Sequence, residues 1–154
     1  MPTSRADIRP CPIVDLLLVR AVGVTWERAA QEQHMALPDL YRRWIDQLWN
    51  GPSGADDLAE IAHGLVSAGF VGHWPGHDVH GPTELAAVVA ETKEMFTAIE
   101  FTIEVPPVTD GVYVAARWIG AGMRDGQRHR FLGNDILRAR DGRFVEYWVA
   151  TVQA

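Results

Sequence analysis

Asp135 is a carboxylate on an expected strand, and the chemistry open to it depends on the face it takes. If the last hairpin turns on Asp141-Gly142 alone, Asp135 stands opposite Trp148. If Arg140-Asp141-Gly142 forms a type I turn with a glycine bulge, the register slips by one and Asp135 stands opposite Tyr147. The second register groups Asp135, Leu137, Val145, Tyr147 and Val149 on one face, with Asn134, Ile136, Arg138, Phe144, Glu146 and Trp148 on the other. An aspartate entering such an apolar, aromatic cavity loses hydration, and its pKa rises toward values useful for moving protons. The competing reading is a surface aspartate that caps a loop or pairs with an arginine.

The histidines are the other proton-handling candidates. His73, His77 and His80 have metal-like spacing, but Pro75, Gly76 and Gly81 interrupt the rigid helix or knuckle that zinc ligands need, so no metal is expected. His73 flanks Trp74 at a strand end and is a candidate hydrogen-bonding or proton-transfer partner, or a histidine satisfied by backbone. His80 suits a loop-fixing role, His129 a solvated one, and His63 either a helix C-terminus or the pocket. Tyr147 and Tyr41 add hydroxyls able to donate to a carbonyl or a developing enolate. Trp74, Phe96 and Tyr147 suit a pocket wall for a planar, poorly charged molecule, whereas Trp44 and Trp118 suit the core and Trp49 a helix end.

The elements that must position these side chains are legible from periodicity and breakers. Asp110-Gly111, Asp125-Gly126 and Asp141-Gly142 separate β-branched and aromatic runs at near-even intervals, predicting four strands over roughly 99–108, 112–121, 127–139 and 143–152. Upstream, Leu37, Leu40, Tyr41, Trp44, Ile45 and Leu48 recur at helical spacing from Pro38 to Trp49, where Asn50-Gly51-Pro52 stops the helix. A second helix is expected from Gly54 to Leu65 with Leu58, Ile61, Ala62 and Leu65 inward, then a short strand, Gly69 to Pro75, and a loop, Gly76 to Pro82. A third helix follows from Thr83, as cap, to Ile99. Helices gathered on one face of a curved antiparallel sheet make an α+β domain enclosing a pocket.

Composition narrows the function. The 154 residues suffice for one domain, expected over about 35–154, after a proline-broken extension over 1–34 that need not be ordered. A formal charge of −6 leaves no basic face for nucleic acid, although Arg124, Arg128 and Arg130 cluster near one turn. The apolar run Ile13 to Val22 is too short to cross a membrane and does not read as a signal peptide. A single cysteine, Cys11, excludes an intrachain disulfide, so a cytoplasmic protein is expected. Ser4, Ser53 and Ser67 lack a nucleophile-elbow context, and no glycine-rich phosphate loop is present.

Three strings carry a resemblance: Tyr41-Arg42-Arg43-Trp44-Ile45-Asp46-Gln47-Leu48-Trp49-Asn50-Gly51; Phe70-Val71-Gly72-His73-Trp74-Pro75 leading to His80-Gly81-Pro82; and Gly133-Asn134-Asp135 through Tyr147-Trp148. With the element order, they resemble the SnoaL-like polyketide cyclases of the nuclear-transport-factor-two superfamily over about 35–152. The resemblance implies a cone-shaped fold and a cofactor-free enzyme closing a ring by intramolecular aldol condensation, a pocket carboxylate moving the proton. The family's aspartate after the last strand's aromatic pair corresponds to Val149, and the histidine of the best-known cyclase to Asp135. Because it puts both positions on one pocket face, the resemblance favours the second register.

The expected function is therefore a cofactor-independent cyclase or isomerase acting on a small hydrophobic or aromatic substrate. Its expected catalytic residues are Asp135, His73 and Tyr147, and its expected substrate contacts are Tyr41, Trp44, His63, Trp74, Phe96 and Val149. Opening of an epoxide on the same scaffold is one alternative, and a non-catalytic dimeric binding module the other. Trp148, Phe144 and Ile136 predict an apolar outer patch and a homodimer through the sheet.

Overall fold

A computed structural model of the chain describes residues 37–154. The 1–34 extension and Cys11 lie outside the described residues.

The first described helix, α1, covers residues 37–49. Its last part, Trp44–Trp49, winds as a π-helix rather than the expected α-helix, and the Asn50 N–H closes it on the Ile45 carbonyl at 2.8 Å. The wider turn brings residues five apart onto one face, so Trp44 and Trp49 both bury and meet edge to face at 6.3 Å. Asn50 then acts as a piece of strand. Its side-chain amide donates to the Phe101 carbonyl and accepts from the Phe101 N–H, both at 2.8 Å, fixing the end of α1 against the sheet.

Helix α2, Ala55–Leu65, has Asp56 and Asp57 in its first turn, where acid complements the helix dipole, and buries Leu58, Ala62 and Leu65. It runs straight into β1, Val66–Trp74. Pro75 ends β1 as expected, but the segment after it is not a loop. With Gly76 at φ 93° it turns back into a short strand, β2, His77–His80, paired antiparallel with β1. Helix α3 spans Gly81–Glu94, two residues earlier at its start and five shorter at its end than expected. His80, not Thr83, is its cap residue, and Glu84 reaches back to accept the His80 N–H at 2.7 Å.

Four long strands follow: β3 Thr97–Thr109, β4 Tyr113–Arg124, β5 Gln127–Arg140 and β6 Arg143–Gln153. All three Asp-Gly pairs lie between strands. At two of them both residues take positive φ, Asp125-Gly126 at 51° and 73° and Asp141-Gly142 at 52° and 72°, the mirror-image turn that matches strand twist. The sheet order is β2-β1-β6-β5-β4-β3. It is mixed rather than wholly antiparallel, because β1 pairs parallel with β6. That pairing needs a long crossover, and α3 with β3–β5 supplies it.

The last hairpin corrects both registers considered for it. It turns on Asp141-Gly142 with Arg140 opposite Arg143, and a shift between Arg138 and Ala139 then sets Asp135 opposite Val149. Asp135, Leu137, Tyr147 and Val149 still share one face, since a slip of one in either direction gives the same parity. Phe144 is the exception: ahead of the shift it points inward, is fully buried and packs on Trp44 at 5.8 Å. The outer patch therefore loses it. The core is built from Tyr41, Trp44, Leu48, Leu58, Leu65 and Phe70 against Leu137, Phe144 and Tyr147. No described helix is long and apolar enough to cross a membrane.

Candidate active site

Glycines on the inner face of the sheet decide how closely aromatic rings approach it. Trp118 on β4 pairs with Gly133 on β5, and a Cβ built on Gly133 would lie 2.1 Å from Trp118 Cζ2. Gly120 and Gly122 admit Phe101 and Phe96 in the same way, each with a contact at 3.1 Å from a built Cβ. Lying over Gly133, the indole of Trp118 donates from Nε1 to Asp135 Oδ1 at 2.7 Å.

Two tyrosines complete the surroundings of that carboxylate. Tyr147 Oη donates to Oδ1 at 2.8 Å from β6, and Tyr41 Oη donates to Oδ2 at 2.9 Å from α1. Asp135 is 1% exposed, and burial pushes its pKa up to about 6 against the opposing effect of the three hydrogen bonds. Burial, together with the adjacent carboxylate, holds both phenols well above the ordinary tyrosine range, so they remain protonated donors.

In front of this cluster lies an apolar cavity of about 340 Å³. Trp118 and Tyr147 form part of its wall, and Asp135 stands directly behind them. Trp74, Phe96 and Val149, all expected as substrate contacts, border the cavity, and Trp74 meets Tyr147 edge to face at 4.9 Å. Sequence reasoning missed Trp49, Phe101, Trp118 and Phe131 as further wall residues. The signal for Trp118 was available: an inward tryptophan two positions beyond the partner of Asp135, facing a glycine across the ladder.

Other expected contacts lie elsewhere. Tyr41 touches Asp135 from the side of the helix and does not border the cavity. Trp44 is fully buried behind Tyr147, 5.2 Å away ring to ring, as a core residue. His63 is exposed on α2. His73 follows the alternation of β1 to the outer face, where it stacks on Trp148 at 5.5 Å and bonds Asp78 Oδ1 at 2.9 Å and Glu146 Oε1 at 3.2 Å. It has no contact with Asp135, whose partners are instead the two tyrosines and the indole. Among the described residues no group of three or more His, Cys, Asp or Glu side chains is arranged to hold a metal ion.

A family model described as the SnoaL-like domain matches residues 41–147. Solved structures show the same fold at low identity. A protein of Jannaschia sp. CCS1 assigned to the SnoaL-like polyketide cyclases is 20% identical, with a TM-score of 0.66 over 77% of this chain and 86% of that one. A Catenulispora acidiphila protein with a ketosteroid isomerase-like fold is 19% identical, with a TM-score of 0.62 over 73% and 85%. An LEH-like epoxide hydrolase of M. tuberculosis is 14% identical, with a TM-score of 0.59 over 77% and 84%. Among curated proteins none matches the sequence significantly.

Proposed function

Because the chain belongs to the SnoaL-like domain family, we propose that it is a cofactor-independent cyclase or isomerase of small molecules, with Asp135 as acid/base and Tyr147 linking it to the cavity. One observation carries this reading. A buried carboxylate with a pKa near neutrality is hydrogen-bonded to two side chains that also wall an apolar cavity. At neutral pH most of Asp135 is ionised and can accept a proton.

The proposed step is a relay. The Tyr147 hydroxyl takes a proton from a substrate carbon next to a carbonyl while passing its own proton to Asp135 Oδ1. The tyrosine never carries a full charge, which its raised pKa would oppose. The enolate carbon attacks a second carbonyl of the same molecule, forming the new carbon–carbon bond, and the resulting alkoxide receives the proton back through the same pair. Nothing is gained or lost, so the reaction is an isomerisation.

Nitrobenzisoxazole, whose Kemp elimination reports proton abstraction from carbon, is a planar probe of suitable size. Wild type is expected to exceed Asp135→Asn by about 100-fold, with a rate that climbs as pH rises through about 6. Tyr147→Phe should lose most of the same rate. Equal rates in wild type and Asp135→Asn would end the catalytic assignment. A second reading, a binding module without chemistry, is favoured by Val149 in the family's aspartate position and by the three donors already engaging Asp135. It expects Asp135→Asn to keep full affinity for cavity ligands.

The proposal includes a homodimer through the outer face of the sheet. Ile136 is 48% exposed there, beside Trp148 and Tyr113, which approach to 6.4 Å. Sedimentation of wild type and Ile136→Glu tests it: a wild type that sediments as a monomer refutes it. We also take about 35–154 as the SnoaL-like domain, so a chain starting there should melt as the full chain does.

A further inference from the structure

The inner face of the sheet carries its polar groups to opposite ends of the cavity. Alternation along β4 and β5 sends Arg128 and Arg130 to the outer face, because they pair with Met123 and Ala121. Arg124 and His129 go to the inner face, and with Gln153 of β6 they form one end of the cavity wall. The arginine cluster visible in the sequence is thus divided, and one member reaches the cavity. That end is the mouth: the Arg124 side chain is 51% exposed, whereas Trp118 and Tyr147 at the other end are 7% and 1% exposed.

We propose that this cavity takes a planar, uncharged ring system bearing a single anionic group, with Arg124 and His129 receiving the anion at the mouth. The proposal names the substrate class for the function proposed above and rests on that reading of the cavity. Among the described residues no acidic side chain borders the cavity and Arg124 is the only lysine or arginine that does, in a chain whose formal charge is −6.

The guanidinium is also held in place. It lies over the Phe96 ring at 5.9 Å, and Phe96 is itself kept close to the sheet by the missing side chain of Gly122. Its ion-pair neighbour is Asp125 at 3.8 Å, with a carboxylate 91% exposed, too distant and too solvated to occupy the planar fork that suits a carboxylate or sulfonate. Beside it, the His129 ring stacks on Phe131 at an interplanar angle of 12°, and the Gln153 amide donates to Nδ1 at 3.1 Å. That leaves Nε2 as the protonated ring nitrogen, a second donor at the same end.

Orientation follows from charge. An anion at the inner end would face the buried Asp135 carboxylate through one layer of side chains. At the mouth it meets a cation and keeps part of its hydration. The ring system then points inward, toward Trp118 and Tyr147, where the proposed proton transfer takes place.

Two probes with the same rings separate the contributions: anilinonaphthalene sulfonate, which is an anion, and N-phenylnaphthylamine, which is neutral. Wild type should bind the sulfonate about tenfold more tightly, an advantage that falls as salt is added. Arg124→Met should remove that advantage and leave the neutral probe within about twofold, and Arg124→Glu should weaken the sulfonate further. Because Arg124 is half exposed, neither change should affect folding. Val149→Trp, which fills the cavity, should abolish both probes if they bind there. Sulfonate affinity that is unchanged in Arg124→Met, or that falls in parallel with the neutral probe, overturns the anion assignment while leaving the proposed chemistry standing. Failure of both probes to bind wild type removes the cavity reading, and both proposals with it.

Discussion

The indole of Trp118 occupies the space that a side chain on Gly133 would need, 2.1 Å from a built Cβ, and from there it reaches Asp135 at 2.7 Å. A single methyl group should therefore disturb the carboxylate without touching it. In Gly133→Ala the indole must lift off the strand, which strains the packing and lengthens the bond to Oδ1. We expect a loss of about 1–3 kcal/mol in urea unfolding, with a changed near-ultraviolet tryptophan dichroism. Stability within about 0.5 kcal/mol of wild type and an unchanged spectrum would mean that the ring does not lie there.

Asp135 gives a pH dependence whose sign can be worked out. Its pKa rises from 3.8 to about 6 on folding, chiefly through burial, so the native state holds the proton more tightly than the unfolded chain. Its contribution to stability is complete below about 3.8 and is lost as pH rises through about 6. From the size of the shift, the loss is about 3 kcal/mol. Asp135→Asn lacks this titration. The variant should gain stability relative to wild type between about pH 4 and pH 6, and hold that gain above it. A difference that does not change with pH across this window would show that Asp135 is not desolvated as described.

Much of this site was legible in the sequence, and the failures have physical causes. Period-two alternation and the Asp-Gly turns located the long strands but left two registers open, and it was the family resemblance that favoured Asp135, Tyr147 and Val149 on one face, the grouping the sheet has. They did not locate the irregularity between Arg138 and Ala139, because no turn residue marks it, and that irregularity turned Phe144 inward. The π-helical turn was hidden for a similar reason: Trp44 and Trp49 are five apart, a spacing on which α-helical periodicity says nothing. His73 was expected beside Asp135 because its strand borders the cavity. One position along β1 separates it from Trp74, and in a strand that changes the face. The cavity wall drew on Trp118 and Phe101 because inward glycines made room for them across the ladder, a long-range effect.

The placement of His73 carries the last prediction, on the outer face. The ring bridges Asp78 of β2 and Glu146 of β6, and Arg138 donates to Glu146 from both Nε and Nη2, at 3.0 and 2.6 Å. Hydrogen bonds to Asp78 and then to Glu146 raise the pKa of His73 from 6.5, while the bond from His73 and then that from Arg138 lower the pKa of Glu146. For a histidine raised on folding, the stabilising contribution is complete below 6.5 and disappears as pH rises through the folded value. His73→Gln should therefore cost most near about pH 5.5 and progressively less toward about pH 9, where a neutral imidazole and an amide differ little. The titration of Asp135 affects both proteins alike and cancels in the difference. Because β2, among the described residues, is an edge strand paired only with β1, the loss should appear first as faster amide exchange in His77–His80. A cost that grows with pH, or exchange in β2 that does not respond to the substitution, would show that the bridge between the two carboxylates is not what holds this edge.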